Sequence, residues 1–214
     1  MTTLRKLLFF FLILVILGAG GCSQTEEIEQ KQFTSEKLLQ ISKLEQPTIE
    51  ELIQSAEQGD VEAQYELGKL YDTGKGVPTG EGVPTDHLEA AKWYRKAAEQ
   101  GYANAQFRLG DAYRKGLGVP QDYQEAFKWF QMAAGQGDAE AQFNLGYMYA
   151  KGQGVPRDYV RSHMWFNLSN SQETDDDMRK GIAKALNAIE ERMTQEQIRE
   201  AQKLAREWKP KARF

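Results

Sequence analysis

Side chains suited to acid–base or metal chemistry are few in this sequence. The two histidines, His87 and His163, have no cysteine and no second histidine at a metal-ligand spacing. Three consecutive aspartates at 175–177 offer oxygens to a hard cation, but the alternation and closing glutamate of a calcium loop are missing. Acids in a first helical turn are explained by the helix dipole. We therefore predict no metal site.

Motifs for nucleophilic or phosphate chemistry are also missing from the sequence. The triplets GKG, GLG and GQG lack the Gly-x4-Gly-Lys-Ser/Thr pattern of a phosphate loop. Neither Ser-x-x-Lys nor Gly-x-Ser-x-Gly occurs. His87 begins a helix where later copies of the same pattern have Tyr123 and Tyr159, which favours a surface or packing role. The prediction is a non-enzyme with no catalytic residue and no cofactor.

The N-terminal segment 1–21 has the layout of a secretory signal peptide. Arg5 and Lys6 precede the apolar run LLFFFLILVIL, which extends from Leu7 to Leu17 and is followed by GAGG. Eleven apolar residues span about 16 Å as a helix, short of a hydrocarbon core of roughly 30 Å. An uncleaved membrane anchor is therefore the less favoured alternative.

Cys22 is the sole cysteine, so an intramolecular disulfide is impossible. Its position directly after AGG resembles a bacterial lipobox, in which the cysteine is acylated and becomes the mature N-terminus. Ala19 stands where that motif usually has leucine, which leaves ordinary cleavage after Gly20 or Gly21 as an alternative. With Ser23 next, the resemblance implies an outer-membrane lipoprotein that faces the periplasm. The alternative is a soluble periplasmic or secreted protein.

Charge and composition exclude nucleic acid as a partner. The formal net charge is −4, and removal of Arg5 and Lys6 with the signal peptide takes it to −6, with no basic cluster elsewhere. Residues 22–46 are polar and charged and read as a tether. Within it, SEKLLQISKLEQ predicts a short amphipathic helix that Pro47 ends.

Internal repetition organises the rest of the chain. AQYELGKLY, AQFRLGDAY and AQFNLGYMY begin at Ala63, Ala105 and Ala141, which are 42 and then 36 residues apart. The three tryptophans of the following segments are 36 residues apart, as are three Gly-Val-Pro turns. The six surplus residues fall in GVPTGEGVPTD, which reads as a local duplication at 76–81 in a tolerated surface loop.

Each unit predicts two helices joined by the glycine–proline turn. A glycine recurs inside the first helix although it costs about 1 kcal/mol there relative to alanine, which indicates a close approach by another helix. A tryptophan recurs in the second helix, where it is expected to anchor the core. The glycines are Gly68, Gly110 and Gly146, and the tryptophans are Trp93, Trp129 and Trp165.

Three linked motifs, A-x-x-x-L-G, G-x-G-V-P and A-x-x-W-[YF]-x-x-A-A, resemble the Sel1-like repeat, a relative of the tetratricopeptide repeat. The resemblance implies an all-α, right-handed α-solenoid over residues 47–172, closed by a C-terminal helical cap at 174–209 and a tail at 210–214. The expected units are a degenerate half-unit at 47–59 and repeats at about 60–101, 102–137 and 138–173. In the third repeat, Ser162 and His163 depart from the pattern.

Two exposed positions of the first helix vary between the three copies while the scaffold recurs. They are three residues apart and form one line of side chains per helix. In tetratricopeptide-like solenoids the first helices line the concave surface, so these positions are the candidate partner-binding residues. They are Glu66, Lys69, Arg108, Asp111, Asn144 and Tyr147; we refer to them as the first-helix stripe.

The sequence thus predicts a lipid-anchored protein of the bacterial cell envelope that binds a protein or peptide partner and acts as a scaffold. A dedicated regulator or assembly factor of an envelope machine is the first alternative. A β-lactamase-like enzyme or cell-wall hydrolase is a further alternative, and the missing nucleophile motifs argue against it.

Overall fold

The structure, a computed structural model, describes residues 48–74 and 83–210. Within these residues every regular element is an α-helix, which confirms the all-α repeat fold. The helices are α1 Ile49–Glu57, α2 Val61–Thr73, α3 His87–Glu99, α4 Ala103–Lys115, α5 Tyr123–Gly135, α6 Ala139–Lys151, α7 Tyr159–Gln172, α8 Asp176–Glu190 and α9 Gln195–Glu207. The signal peptide, Cys22, the tether, the surplus residues 76–81 and residues 211–214 lie outside the described residues.

Side-chain caps and glycines set the ends of these helices. Thr48 and Glu51 form a capping box at α1, as their spacing predicts. Aspartates begin both helices of most repeats, and each accepts a hydrogen bond from a backbone N–H of the first turn. They are Asp60, Asp86, Asp122, Asp138 and Asp158. The first helix of each repeat ends at a left-handed glycine, namely Gly74, Gly116 and Gly152.

The helices pack in sequential pairs, and each pair packs on the next. The pairs α2–α3, α4–α5 and α6–α7 make the three repeats, α1 packs on α2, and the second helix of one repeat contacts the first helix of the following one. Every repeat therefore buries its apolar face only against its neighbours.

The recurring glycine of each first helix lies beneath an aromatic ring of its partner helix. A Cβ atom on Gly68 would lie 2.6 Å from the Tyr94 ring. The same relation joins Gly110 to Phe130 at 2.9 Å and Gly146 to Phe166 at 2.7 Å. These distances are shorter than a normal carbon–carbon contact of about 3.5–4.0 Å, so a side chain here would force the facing ring to move, in agreement with the close approach predicted from the sequence.

The aromatic residue that meets the glycine is the one after each tryptophan. Tyr94, Phe130 and Phe166 are almost completely buried, whereas Trp93 and Trp129 are only half-buried. Each tryptophan instead packs between units, since Trp93 contacts the α1–α2 core and Trp129 the α3–α4 core. The tryptophan was expected to anchor the core, but two adjacent aromatic residues share this role. The residue after the tryptophan packs within its repeat, and the tryptophan packs against the neighbouring unit.

The second glycine of the G-x-G-V-P turn is required by the preceding repeat. A Cβ atom on Gly118 would lie 1.9 Å from the carbonyl oxygen of His87, at the start of α3. Gly154 stands in the same relation to Tyr123 at the start of α5, at 2.1 Å. Both glycines also have positive φ. The turns of the second and third repeats therefore rest on backbone of the repeat before them.

The two C-terminal helices both pack on α7, and their mutual contacts are too few to make them a helical pair. Helices α8 and α9 are thus two separate elements on one helix. Asp175 caps α8 by accepting from the backbone N–H groups of Asp177 and Met178. A capping box of Thr194 and Gln197, with the three-residue spacing that this motif requires, begins α9.

Contacts with neighbouring helices explain why the third repeat departs from the pattern. Ser162, fully buried where the other repeats have alanine, donates to the carbonyl oxygen of Gly146 at 2.7 Å. His163 is 1% exposed and has its Nε2 2.7 Å from Glu190 of α8. Trp165 is the most buried of the three repeat tryptophans because Trp208, after α9, stacks edge-on against it at 6.1 Å.

Candidate partner-binding surface

The first-helix stripe lies on the faces of α2, α4 and α6 that the core does not use. The core face of these helices carries Leu67, Leu109 and Leu145, all fully buried. On the stripe, Glu66 and Tyr147 are exposed and the other four residues are half-buried. Because residues three apart are neighbours on a helix, each repeat presents two adjacent stripe side chains.

In the first repeat the two stripe residues form an ion pair. Lys69 Nζ lies 2.8 Å from Glu66 Oε2 and 5.6 Å from the centroid of the Tyr65 ring. Both side chains are about half exposed, so the pair is worth at most about 1 kcal/mol. It therefore costs little to rearrange when another molecule binds.

In the second repeat the two stripe residues do not pair with each other. Asp111 accepts from Arg114 and lies 2.6 Å from Lys115, both on its own helix. Arg108 forms no ion pair with a carboxylate among the described residues and lies beside the Tyr65 hydroxyl of the first repeat. The second repeat therefore offers a cation whose charge is not neutralised by a direct partner.

The electrostatic surroundings of Arg108 keep its guanidinium charged. Burial lowers its pKa, but the hydrogen bond to Tyr65 and the proximity of Tyr94 and Glu140 outweigh burial, so the net shift in the pKa is upward. Glu140 begins the third repeat, so Arg108 interacts with all three repeats.

In the third repeat both stripe residues are neutral. Asn144 donates to the carbonyl oxygen of Glu140 at 2.8 Å. Tyr147 is 45% exposed, and Lys151 lies 5.7 Å from its ring centroid. An exposed tyrosine combines an apolar ring with a hydrogen-bonding hydroxyl, and such residues are enriched in protein interfaces.

The histidines and the aspartate run have structural partners. His87 Nδ1 lies 2.9 Å from Asp72, whose other oxygen is 3.5 Å from the Tyr94 hydroxyl. Burial raises the pKa of Tyr94, and the charge of Asp72 raises it further, so the phenol stays neutral. His163 Nδ1 lies 2.7 Å from Asn167. Across the described residues, no three His, Cys, Asp or Glu side chains are grouped as a metal site would require.

Buried glutamines, which the sequence reasoning did not single out, link the repeats. Gln106, 4% exposed, donates to the carbonyl oxygen of Ala98 and accepts from Gln136, which also donates to the carbonyl oxygen of Gly101. The equivalent glutamines repeat most of this arrangement, with Gln64 bonded to Ala56 and Gln100, and Gln142 bonded to Ala134 and Gln172. The signal was present as a glutamine after each Ala63, Ala105 and Ala141.

These bonds add a second donor to carbonyl groups at helix C-termini that already accept from the backbone N–H of Gly59, Gly101 and Gly137. Each glutamine of a first helix caps the preceding second helix, so consecutive repeats are fixed by buried hydrogen bonds as well as by apolar contact. The stripe residues of successive repeats are thereby held at constant spacing.

No helix among the described residues is long and apolar enough to span a bilayer.

Comparison with known proteins places the described helices in a repeat family. A family model described as the Sel1 repeat matches residues 61–102, 103–138 and 139–173. The chain is similar to the crystal structure of a Sel1 repeat protein from Oxalobacter formigenes, with 37% sequence identity and a TM-score of 0.51. The match covers 57% of this chain and 47% of the Oxalobacter chain. No curated protein matches the chain at a significant level.

A second solved structure is c5321, a protective antigen present in uropathogenic Escherichia coli strains that displays an SLR fold. Its sequence identity to this chain is 34%, and the TM-score is 0.55. The match covers 74% of this chain and 40% of the c5321 chain. The chain therefore spans less than half the length of these solved relatives.

Proposed function

Because the chain belongs to the Sel1 repeat family, whose repeats generally mediate protein–protein contacts, we propose that it is a non-enzymatic scaffold that binds a protein partner at the bacterial cell envelope. The binding surface is the first-helix stripe. The partner is a protein or peptide segment, with no cofactor and no nucleic acid involved.

The observation that carries this proposal is the contrast between an invariant frame and variable stripe residues. Two features recur from repeat to repeat: the contact of a first-helix glycine with an aromatic ring of the second helix, and the glutamine hydrogen bonds between repeats. The stripe, by contrast, passes from an ion pair to the unpaired Arg108 and then to the exposed Tyr147. Side chains that vary on a fixed frame, without a role in the core, are suited to reading one partner sequence.

The stripe also indicates the chemistry of that partner. A carboxylate opposite Arg108 would gain a charge-assisted hydrogen bond that no described carboxylate provides at salt-bridge distance. An apolar or aromatic side chain would cover the ring of Tyr147. The expected partner segment therefore carries an acidic residue and an apolar residue one repeat apart.

The envelope part of the proposal rests on the sequence. Arg5, Lys6 and the apolar run from Leu7 to Leu17 predict export, and the lone Cys22 at the end of this segment supplies the acyl attachment point. On this proposal the scaffold is an outer-membrane lipoprotein that faces the periplasm. Membrane fractionation of cells that express Cys22→Ala tests it, and a variant that still sediments with the membrane would refute the lipid anchor.

The binding surface is tested by in-cell crosslinking and mass spectrometry with a matched pair of double variants. Arg108→Ala with Tyr147→Ala removes the stripe cation that has no carboxylate at salt-bridge distance among the described residues, together with the exposed stripe tyrosine. Lys92→Ala with Met132→Ala removes one cation and one exposed apolar residue from second helices, where Lys92 is 56% and Met132 42% exposed. The stripe variant should lose the crosslinked partner at normal protein levels, and the control should retain it. Equal recovery by the two variants would contradict the proposed surface.

A further inference from the structure

A groove lies between α7 and α9, beyond the last repeat. Its volume is about 610 Å³, within the range of roughly 300–1,000 Å³ that ligand pockets have. Most of its lining comes from α7 and α9, and α5 and α6 contribute one residue each.

The α7 wall departs from the pattern of the other second helices. In the first two repeats, a glutamate and a lysine three residues later form an ion pair on the surface of the second helix. These pairs are Glu89 with Lys92 and Glu125 with Lys128. In α7 the same two positions hold Arg161 and Met164, and both line the groove. The third repeat thus presents an apolar side chain where the other two present a cation.

Helix α9 covers only part of this apolar surface. Trp208 stacks on Trp165, which explains the burial of that tryptophan. Met164 remains half-buried, and Leu204 on the facing wall is 37% exposed. The groove therefore keeps two apolar side chains, one on each wall, that another apolar group can cover.

The charged part of the groove is net acidic. Asp158, Arg161 and Glu200 line it, and Arg161 is paired with Asp158 at 3.5 Å, so these two charges offset each other. Glu200 forms no ion pair within the described part of the chain, and Lys203 of the same helix lies near Glu207 instead. A ligand that complements the groove therefore brings a positive charge to Glu200.

The spacing on α9 sets the spacing required in the ligand. Glu200 and Leu204 are four residues apart, so they share one face of the helix and are separated by about 6 Å along its axis. Two residues of extended chain span about 7 Å, and their side chains point to the same side. A cation and an apolar residue at positions i and i+2 of an extended segment thus match Glu200 and Leu204.

We propose that this groove binds an extended segment of a partner protein in which a lysine or arginine lies two residues from a large apolar residue. The apolar side chain covers Met164 and Leu204, and the cation pairs with Glu200. The groove shares no residue with the first-helix stripe and has the opposite charge preference, since the stripe offers the cation Arg108. The two surfaces therefore stand or fall separately.

A pair of photoreactive peptides tests the proposal on the purified full-length chain. The basic probe is acetyl-Ala-Lys-Ala-Bpa-Ala-Lys-Ala-amide, in which Bpa is p-benzoylphenylalanine, a residue that inserts into nearby C–H bonds and reacts well with methionine. The matched acidic probe has glutamate in place of both lysines. Tryptic mass spectrometry after irradiation reads the peptide 162–179, which contains Met164 in the groove and Met178, 41% exposed on α8, as an internal control.

The basic probe should label Met164 in preference to Met178, and it should do so roughly two- to fivefold more than the acidic probe, the range expected for one exposed ion pair. Equal labelling of Met164 by the two probes would overturn the proposal. Equal labelling of the two methionines by the basic probe, or no labelling of a groove residue, would overturn it as well.

A matched pair of charge variants tests the part assigned to Glu200. Glu200→Lys should lower the labelling of Met164 by the basic probe roughly two- to fivefold. Glu191→Lys makes the same change of charge at the end of α8, outside the groove lining, and should leave the labelling unchanged. The same yield from both variants would contradict the proposed ion pair. Far-UV circular dichroism checks that both variants are folded.

Two controls distinguish other occupants of the groove. Labelling that appears only when the chain is truncated after Pro210 would identify the chain's own C-terminus as the occupant. Labelling that falls as the protein concentration rises would identify a second copy of the chain. Either result would overturn the proposal of a basic partner segment, for which neither change should alter the yield.

Discussion

Replacing two helix-interior glycines by alanine should have opposite effects on stability. Gly146 lies inside α6 beneath Phe166, and Gly181 lies inside α8, where an added Cβ meets nothing within 4 Å. Alanine is favoured over glycine in a helix interior by about 1 kcal/mol at both positions. Any difference between the two variants therefore measures packing rather than helix propensity.

The magnitude at Gly146 follows from its contacts. The new Cβ would lie 2.7, 2.8 and 3.0 Å from three ring atoms of Phe166, and Phe166 is 1% exposed and cannot move outwards. Overpacking of this kind costs about 1–3 kcal/mol. After the propensity gain, Gly146→Ala should be neutral to about 2 kcal/mol less stable. Gly181→Ala should be more stable by up to about 1 kcal/mol.

Urea denaturation followed by circular dichroism measures both effects. With a slope of about 1–3 kcal/mol per molar urea, a change of 1 kcal/mol moves the midpoint by about 0.3–1 M. The double variant Gly146→Ala with Phe166→Leu serves as a second test, since the smaller side chain removes the ring atoms that the new methyl meets. Its loss of stability should be smaller than the sum of the two single losses by at least about 0.5 kcal/mol. Additive losses, or equal midpoints for the Gly146 and Gly181 variants, would refute the packing explanation.

Three further predictions concern the joints between repeats. Gly101→Ala should lower the free energy of unfolding by about 1–2 kcal/mol, the strain of a left-handed backbone on alanine. Gly118→Ala should lower it by about 1–3 kcal/mol more, because the new Cβ meets backbone of the preceding repeat. The urea midpoints of the two variants measure the difference. Gln106→Leu should lose about 0.5–1.5 kcal/mol for each hydrogen bond removed, since the Ala98 carbonyl and the Gln136 amide each lose one of two partners, and an unchanged midpoint would contradict this. Burial raises the pKa of the Asp138 side chain, which caps α6, because it disfavours the charged carboxylate. Ionised Asp138 therefore lowers the free energy of unfolding at pH values above the raised pKa. This loss is absent below the usual pKa of 3.8, where the carboxyl is protonated in both the folded and the unfolded chain. Asp138→Asn should therefore gain stability relative to the native chain between pH 3 and pH 7, and a relative loss on raising the pH would contradict the sign.

Periodicity made most of the fold predictable. The 36-residue spacing, the capping residues and the G-x-G-V-P turns predicted the helix pairs, and the structure has them. The glycines inside first helices predicted a close approach, because no other reason offsets their cost in a helix. These features are local, so a single copy of the pattern contains the information for them.

Positions that depend on a neighbouring unit could not be predicted in the same way. Trp129 and Phe130 are adjacent, bulky and aromatic, and only the packing shows that Phe130 meets Gly110 while Trp129 joins two repeats. The sequence gives no register between Arg108 and the residues of other repeats that surround it. Six surplus residues before the second helix of the first repeat also shift the numbering between copies, which obscures such pairings.

The sequence by itself determined the repeat, the all-α class and the residues that each first helix leaves outside its core, because helical periodicity fixes which side chains share a face. The tertiary structure decided what covers each face. It placed Trp208 on Trp165, α8 and α9 on separate sides of one helix, and His163 beside Glu190. The contacts of Trp208 with Trp165 and of His163 with Glu190 join residues 43 and 27 positions apart, and their geometry depends on how whole helices pack rather than on any local pattern.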